Sequence, residues 1–201
     1  MTAGTAIVLR PGEPRDAADL AIIDNMSSHG MSLAFWQQAV ADGEAEDPLL
    51  LGRERFGDAA SVFGWSNAIV AENADTVAGS VTGYEMPAPD ASADRIKFLF
   101  PGFAPVFELF ARCVGDWFID SMGVFPAYRG AGIAARLIDQ CLEQGRKKAL
   151  RRASLIVESD NQAATRLYAS RNFSTRDSLP FRDRLGNAVV DKNWLLMSAE
   201  L

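Results

Sequence analysis

The segment Val124-Phe-Pro-Ala-Tyr-Arg-Gly-Ala-Gly-Ile-Ala134 constrains this chain more than any other stretch. Before it stands an apolar run, Trp117-Phe-Ile-Asp-Ser-Met-Gly-Val124, which reads as a strand. After it, Ile133/Leu137/Cys141 and Ala134/Ile138/Leu142 recur at i, i+4. That spacing predicts an amphipathic helix from about Gly130 to Leu150. An arginine and two glycines therefore stand where a strand gives way to a helix. Glycine allows backbone conformations and close approaches that other residues resist. The helix N-terminus supplies unpaired N–H donors and partial positive charge. The combination suits backbone capture of a phosphate group.

The flanking sequence places this turn in a larger α/β pattern. Ile7–Arg10 reads as a short strand, and Pro14-Arg-Asp16 opens a helix carrying Ala17, Leu20, Ala21, Ile22 and Ile23. Helical stretches follow from Ser32 to about Asp42 and from about Pro48 to Phe56. Asn67–Glu72 and Thr76–Tyr84 read as strands joined by a short hairpin turn at Asn73-Ala-Asp75. Glu85 to Asp94, rich in Pro, Ala and Asp, reads as a loop, and Phe103 to Val114 as a helix. Ala153–Val157 is the next strand. Asp160 or Asn161 is placed to cap a helix that runs to Arg171. Phe173 onward and Val189–Met197 complete the sheet. Hairpins mixed with one strand–helix–strand crossover predict an α/β or α+β fold with a mixed sheet.

The 201 residues suit one domain, spanning 1–201, with 48% apolar and 23% charged residues. A net charge of −6 argues against a general nucleic-acid binder. Two cysteines are too few for a disulfide framework and fit a reducing cytoplasm. The N-terminus has no charged-then-apolar signal pattern, and no apolar run approaches about 18 residues. Neither export nor a membrane span is expected. His29, the single histidine, makes a histidine-rich metal site unexpected, and no metal is predicted.

Several ligands could own the glycine turn. Gly130-Ala-Gly132-Ile-Ala-Ala135 formally fits the dinucleotide pattern G-x-G-x-x-A. The acidic residue expected about 20 positions on falls instead on Leu150 and Arg151, and too little chain follows for a dinucleotide domain. The match keeps a nicotinamide-dinucleotide enzyme as a third reading. A phosphate-binding P-loop would need Gly-Lys-Ser/Thr, which this turn lacks.

The wider pattern Val124-x-Pro126-x-Tyr128-Arg129-Gly130-x-Gly132-Ile133-Ala134 resembles the acyl-CoA motif of the GNAT acetyltransferase superfamily. Its core, Arg/Gln-x-x-Gly-x-Gly/Ala, is matched by Arg129, Gly132 and Ala134. Glu158-Ser-Asp-Asn161 through Leu167-Tyr168 to Phe173 resembles the superfamily's second motif. Arg10–Asp16, Asn67–Glu72 and Val77-Ala-Gly79 also sit where such chains place them. The likeness covers most of the chain. It is less diagnostic over Ser27–Phe63 and Pro87–Gly115.

The resemblance implies a mostly antiparallel sheet of six to seven strands, flanked by helices, whose central strands splay apart. It implies acetyl-CoA as acyl donor, with the pantetheine arm on the backbone of Met122, Gly123 and Val124. The pyrophosphate would sit on the N–H groups of Arg129, Gly130, Ala131, Gly132, Ile133 and Ala134. Asn161 and Tyr168, seven residues apart on one helix face, would both reach the donor. The acetyl group would pass directly to a primary amine of a small molecule or peptide. Tyr168 matches the tyrosine near the sulfur and is the candidate general acid.

For the base, some relatives carry a glutamate where this chain has Ile156. Asp120 falls at another position that holds the base in some relatives, and it is an acid inside an apolar strand. Glu85, Glu158 or a water relay are the alternatives. The loss at Ile156 keeps open a non-catalytic acyl-CoA-binding module. Met31, Phe35 and Trp36 lie in the segment that forms one acceptor wall in the superfamily, where homodimers are common. No nucleic-acid or membrane partner is expected.

Overall fold

Short β-branched and apolar runs between turn residues make the strands here, and spaced apolar residues make the helices. The computed structural model describes residues 6–89, 91–185 and 188–201. In chain order the elements are β1 (Val8–Pro11), α1 (Ala17–Ser27), α2 (Met31–Ala41), α3 (Pro48–Gly57), β2 (Ala68–Asn73), β3 (Thr76–Glu85) and α4 (Ala91–Leu99). Then come α5 (Ala104–Ala111), β4 (Trp117–Val124), α6 (Ile133–Lys147), β5 (Arg152–Glu158), α7 (Gln162–Ala169), β6 (Ser174–Leu185) and β7 (Ala188–Glu200). The seven strands are ordered β1-β2-β3-β4-β5-β7-β6. The β1–β2, β2–β3, β5–β7 and β6–β7 pairs are antiparallel. β4 and β5 run parallel, with Trp117 opposite Ala153 and Phe118 opposite Ser154. The helix between them, α6, is the expected crossover. The mixed, mostly antiparallel sheet read from the sequence is the one observed.

The chain divides into two compact units. One runs to Tyr84 and includes Ile119–Cys141; the other is Glu85–Phe118 with Leu142–Leu201. In the first, β2 and β3 turn through Ala74 (φ 45°) and Asp75 (φ 63°), the two left-handed positions a tight hairpin needs. Its core gathers Leu20 and Ile23 of α1, Trp36 of α2, Phe56 of α3, and Val70 and Val77 of the hairpin. Gly52 lets α3 come close to α2, since a Cβ there would lie 2.7 Å from the Trp36 ring. Trp36, from the segment that forms one acceptor wall in the superfamily, is a core residue here, 4% exposed. Arg10 and Asp16 close the entry to α1 with two hydrogen bonds of 2.7 and 2.9 Å.

In the second unit an aromatic layer carries the packing. Phe110 meets Phe118 edge-on at 5.5 Å, and Phe181 stacks on Trp194 at 4.4 Å. Arg146 and Lys147 end α6, where cations favour the helix dipole, and Lys148 Nζ lies 5.6 Å from the Trp117 ring.

One stretch differs from the sequence reading. The loop expected over Glu85–Asp94 ends by Pro89, Asp90 lies outside the described residues, and Ala91 opens α4. Phe98 is 85% and Leu99 37% exposed, so the apolar stripe that marks a packed helix is missing at its C-terminal end. The helix expected from Phe103 to Val114 is the shorter α5. Among the described residues no helix is long and apolar enough to cross a membrane.

Candidate functional site

The glycine turn forms as its sequence predicts. β4 ends at Val124, and the Phe125 N–H donates to the Ala78 carbonyl at 2.9 Å. Pro126–Tyr128 make a 3-10 turn, and α6 begins at Ile133. Gly130 (φ 80°) and Gly132 (φ 73°) both adopt left-handed backbone. A Cβ at either would meet nothing within 4 Å, so conformation rather than space demands glycine. The turn is exposed at Arg129, Gly130, Ala131 and Gly132. Among the described residues no acceptor takes the N–H of Gly130, Ala131, Gly132, Ile133 or Ala134, and the helix bonds start with Arg136 N–H to Gly132 O. Arg129 Nε donates to the Val124 carbonyl at 3.0 Å, which ties its side chain back over the turn. Met122, Gly123 and Val124 are partly buried on the strand leading in.

Asn161 and Tyr168 belong to the second unit. Asn161 is the N-cap of α7: its Oδ1 accepts the Ala164 N–H at 3.1 Å. That leaves its amide N–H2 as the part able to donate elsewhere. Tyr168 is buried, 8% exposed, with its ring 6.0 Å from Phe173.

The candidate bases separate clearly. Glu158 is buried and its Oε2 accepts from Lys192 Nζ at 2.9 Å, so its charge is already matched. Glu85 is an exposed strand end. Asp120 is only partly exposed, and its Oδ1 accepts from the Tyr84 hydroxyl at 3.0 Å. Phe63 meets the Tyr84 ring edge-on at 5.9 Å. Burial pushes the Asp120 carboxyl up to about 7, nearby Asp24 adds repulsion, and the Tyr84 hydrogen bond opposes both. Burial likewise raises Asp24 to about 6, against a hydrogen bond with Ser32. As whole residues, Asp24 and Asp120 are both half-buried.

Asp24 and Tyr84 were not singled out from sequence. Asp24 had a readable signal: it stands four residues after Leu20, on the face that α1 buries. A separate cavity of about 510 Å³, lined by residues including Pro14, Leu50, Arg53 and Asp58, contains none of the predicted site residues.

Solved structures share this fold. "The crystal structure of acetyltransferase" is matched over 96% of this chain and 98% of its own, at 20% identity and a TM-score of 0.64. YncA from Salmonella typhimurium, assigned as an acetyltransferase and solved with its cofactor acetyl-CoA, is matched over 98% and 94%, at 17% identity and a TM-score of 0.59. A ribosomal-protein-alanine N-acetyltransferase from Brucella melitensis is matched over 96% and 99%, at 21% identity and a TM-score of 0.57. No curated protein matches the sequence. The family model described as Acetyltransferase (GNAT) family matches residues 37–173, more than half of the sequence, and the chain belongs to that family.

Proposed function

We propose that this protein is an acetyl-CoA-dependent N-acetyltransferase that moves an acetyl group directly to a primary amine. One observation carries the reading: the exposed turn after β4, whose N–H groups from Gly130 to Ala134 have no acceptor among the described residues. A run of such donors at the start of a long helix suits a pyrophosphate. Membership of the acetyltransferase family, and the acetyl-CoA held by YncA, support an acyl-CoA as its owner. In this reading Met122 to Val124 offer backbone groups to the pantetheine arm, and Asn161 offers its amide.

An amine attacks only when neutral, so an acceptor arriving as an ammonium first gives a proton to Asp120. The C–N bond then forms at the thioester carbonyl and the C–S bond breaks. Tyr168 gives its proton to the departing sulfur and regains one from the nitrogen, leaving an amide and free coenzyme A. A carboxyl with raised proton affinity is a competent acceptor near neutral pH, which favours Asp120 over Glu158.

The test mixes the protein with acetyl-CoA and follows thiol release over a panel of primary amines. Release that depends on the amine, and falls strongly in Tyr168→Phe, is the expected result. Calorimetry showing no binding of coenzyme A would overturn the reading. Tight binding without turnover on any amine would favour a non-catalytic acyl-CoA module, to which Ile156 in the usual glutamate position points.

A further inference from the structure

Three buried acids of this protein are held by cations. Arg10 reaches both oxygens of Asp16, at 2.7 and 2.9 Å. The Arg152 Nε–H is shared by both oxygens of Asp116, and Lys192 holds Glu158. Asp120 is held differently. Its Oδ1 accepts from the Tyr84 hydroxyl at 3.0 Å. Among the described residues nothing donates to its Oδ2, and no Lys, Arg or His pairs with either oxygen. A cation orients a carboxylate and also lowers its affinity for a proton by direct charge attraction. A neutral hydroxyl orients it with a much weaker pull.

The donor sits on a fixed ring. Tyr84 is buried near the end of β3, the strand beside β4 in the sheet, and Phe63 meets its ring edge-on at 5.9 Å. Burial and an aromatic contact hold the hydroxyl where it is, so it needs no ligand to bring it to Asp120. Thr82 lies two residues earlier and so shares this face of β3. It too is buried, yet its Oγ1 has no partner. Of the two buried hydroxyls on this face, only that of Tyr84 bonds the acid. The other titratable group that acts on Asp120 is the Asp24 carboxyl of α1, which opposes its ionisation.

We propose that Tyr84 is a positioning residue for Asp120: its hydroxyl occupies Oδ1, holds the carboxylate in one orientation, and leaves Oδ2 as the oxygen that receives a proton. The inference rests on the N-acetyltransferase reading and deepens it with a residue that acts through the base and not on the substrate. In the transfer an N–H bond of the acceptor breaks, an O–H bond forms at Oδ2, and the nitrogen keeps the lone pair for the C–N bond. The Tyr84 O–H bond stays intact, so Tyr84 is neither acid nor base. A hydrogen bond to the charged form favours that form. Tyr84 therefore keeps Asp120 ionised closer to neutral pH than burial alone would allow. An arginine in its place would hold the carboxyl below its ordinary value, as Arg10 does at Asp16, and leave a poor proton acceptor.

Two measurements on the full-length protein test this, with Tyr84→Phe as the variant and Thr82→Val as its control. Carbon-13 NMR of labelled aspartate carboxyls between pH 4 and 10 reads Asp120 without any reaction, its signal assigned by its absence from Asp120→Asn. The Asp120 titration should move up by about one pH unit in Tyr84→Phe, the sign expected when a donor to the charged form is lost, and stay in place in Thr82→Val. An unmoved or lowered titration in Tyr84→Phe overturns the proposal, as does an equal rise in Thr82→Val. The second measurement is kcat/KM with acetyl-CoA and n-butylamine across the same range. The acid limb should rise in Tyr84→Phe by the shift seen in NMR, which for a limb near pH 7 means about a fivefold loss at pH 7 that narrows by pH 9. A loss equal at every pH, with the limb unmoved, marks a merely structural role and overturns the positioning. If the wild type turns over no amine while the NMR shift is present, the acetyltransferase reading fails and the Tyr84–Asp120 bond stands.

Discussion

Asp116 and Asp120 lie four residues apart on the chain and illustrate opposite uses of a buried carboxylate. Asp116, 4% exposed, accepts the single Arg152 Nε–H shared between its two oxygens, each at 2.9 Å, and the Ser154 hydroxyl at 2.5 Å. Every oxygen has a donor, two arginines cancel its charge, and the group is part of the frame. Asp120 accepts one hydroxyl and faces a second acid. The difference teaches where the fold has kept reactivity. A satisfied charge stabilises; a half-buried acid held by a hydroxyl alone is available to take a proton.

The largest effect should fall on turnover. Asp120→Asn keeps the shape and the Tyr84 contact but cannot take a proton. A loss of about 10²- to 10⁴-fold in kcat/KM is expected, the usual weight of a general base. Steady-state rates with acetyl-CoA and a reactive amine measure it, and a loss under tenfold would remove Asp120 from the base role. Asp116→Ala should spare chemistry and harm the fold. It strips partners from Ser154, Arg152 and Arg176 at once. The arginines are partly exposed, so water recovers some of their solvation, and a destabilisation of about 3 kcal/mol is expected from urea unfolding. A variant as stable as the wild type would erase the contrast drawn between the two acids.

The sequence made one of these regions far easier to read than the other. The turn at Arg129–Ala134 was legible because its information is local: glycines that need positive φ, an i, i+4 helix after them, and an apolar strand before. The parallel β4–β5 pair followed from the same strand–helix–strand order. Asp120 stood out as a charge in an apolar strand, but its neighbour Asp24 lies 96 positions earlier in the numbering. No local spacing rule relates the two positions. Glu158 was misleading in the reverse sense: an acid at a strand end looked available until Lys192, on β7, was seen to hold it. α4 was missed because a helix with Phe98 turned outward shows no apolar stripe. Local conformation was readable, whereas long-range charge pairing was not.

The smallest effect is also the sharpest comparison, because its sign differs between the two kinds of acid. Asp120's folded-state carboxyl is raised above its unfolded value of about 3.9, so the protonated form is the one the fold favours. That contribution is fully present below about pH 4 and is lost as pH rises through about 7. The Asn variant cannot titrate, so Asp120→Asn should gain in melting temperature relative to wild type as pH climbs from 4 to 8. For Asp16, burial alone would raise the carboxyl, but the hydrogen bonds from Arg10 and the Glu13 N–H outweigh it and hold the group below its ordinary value. Its contribution is present above about pH 4 and disappears as pH falls through the lower folded value. Asp16→Asn should therefore lose melting temperature at pH 7, and the loss should shrink only in acid. Two difference curves, each variant minus wild type from pH 3 to 8, should slope in separate windows, with a gain for one and a loss for the other. A loss at pH 8 for Asp120→Asn as large as that for Asp16→Asn would mean that Asp120, too, is a charge the frame holds ionised.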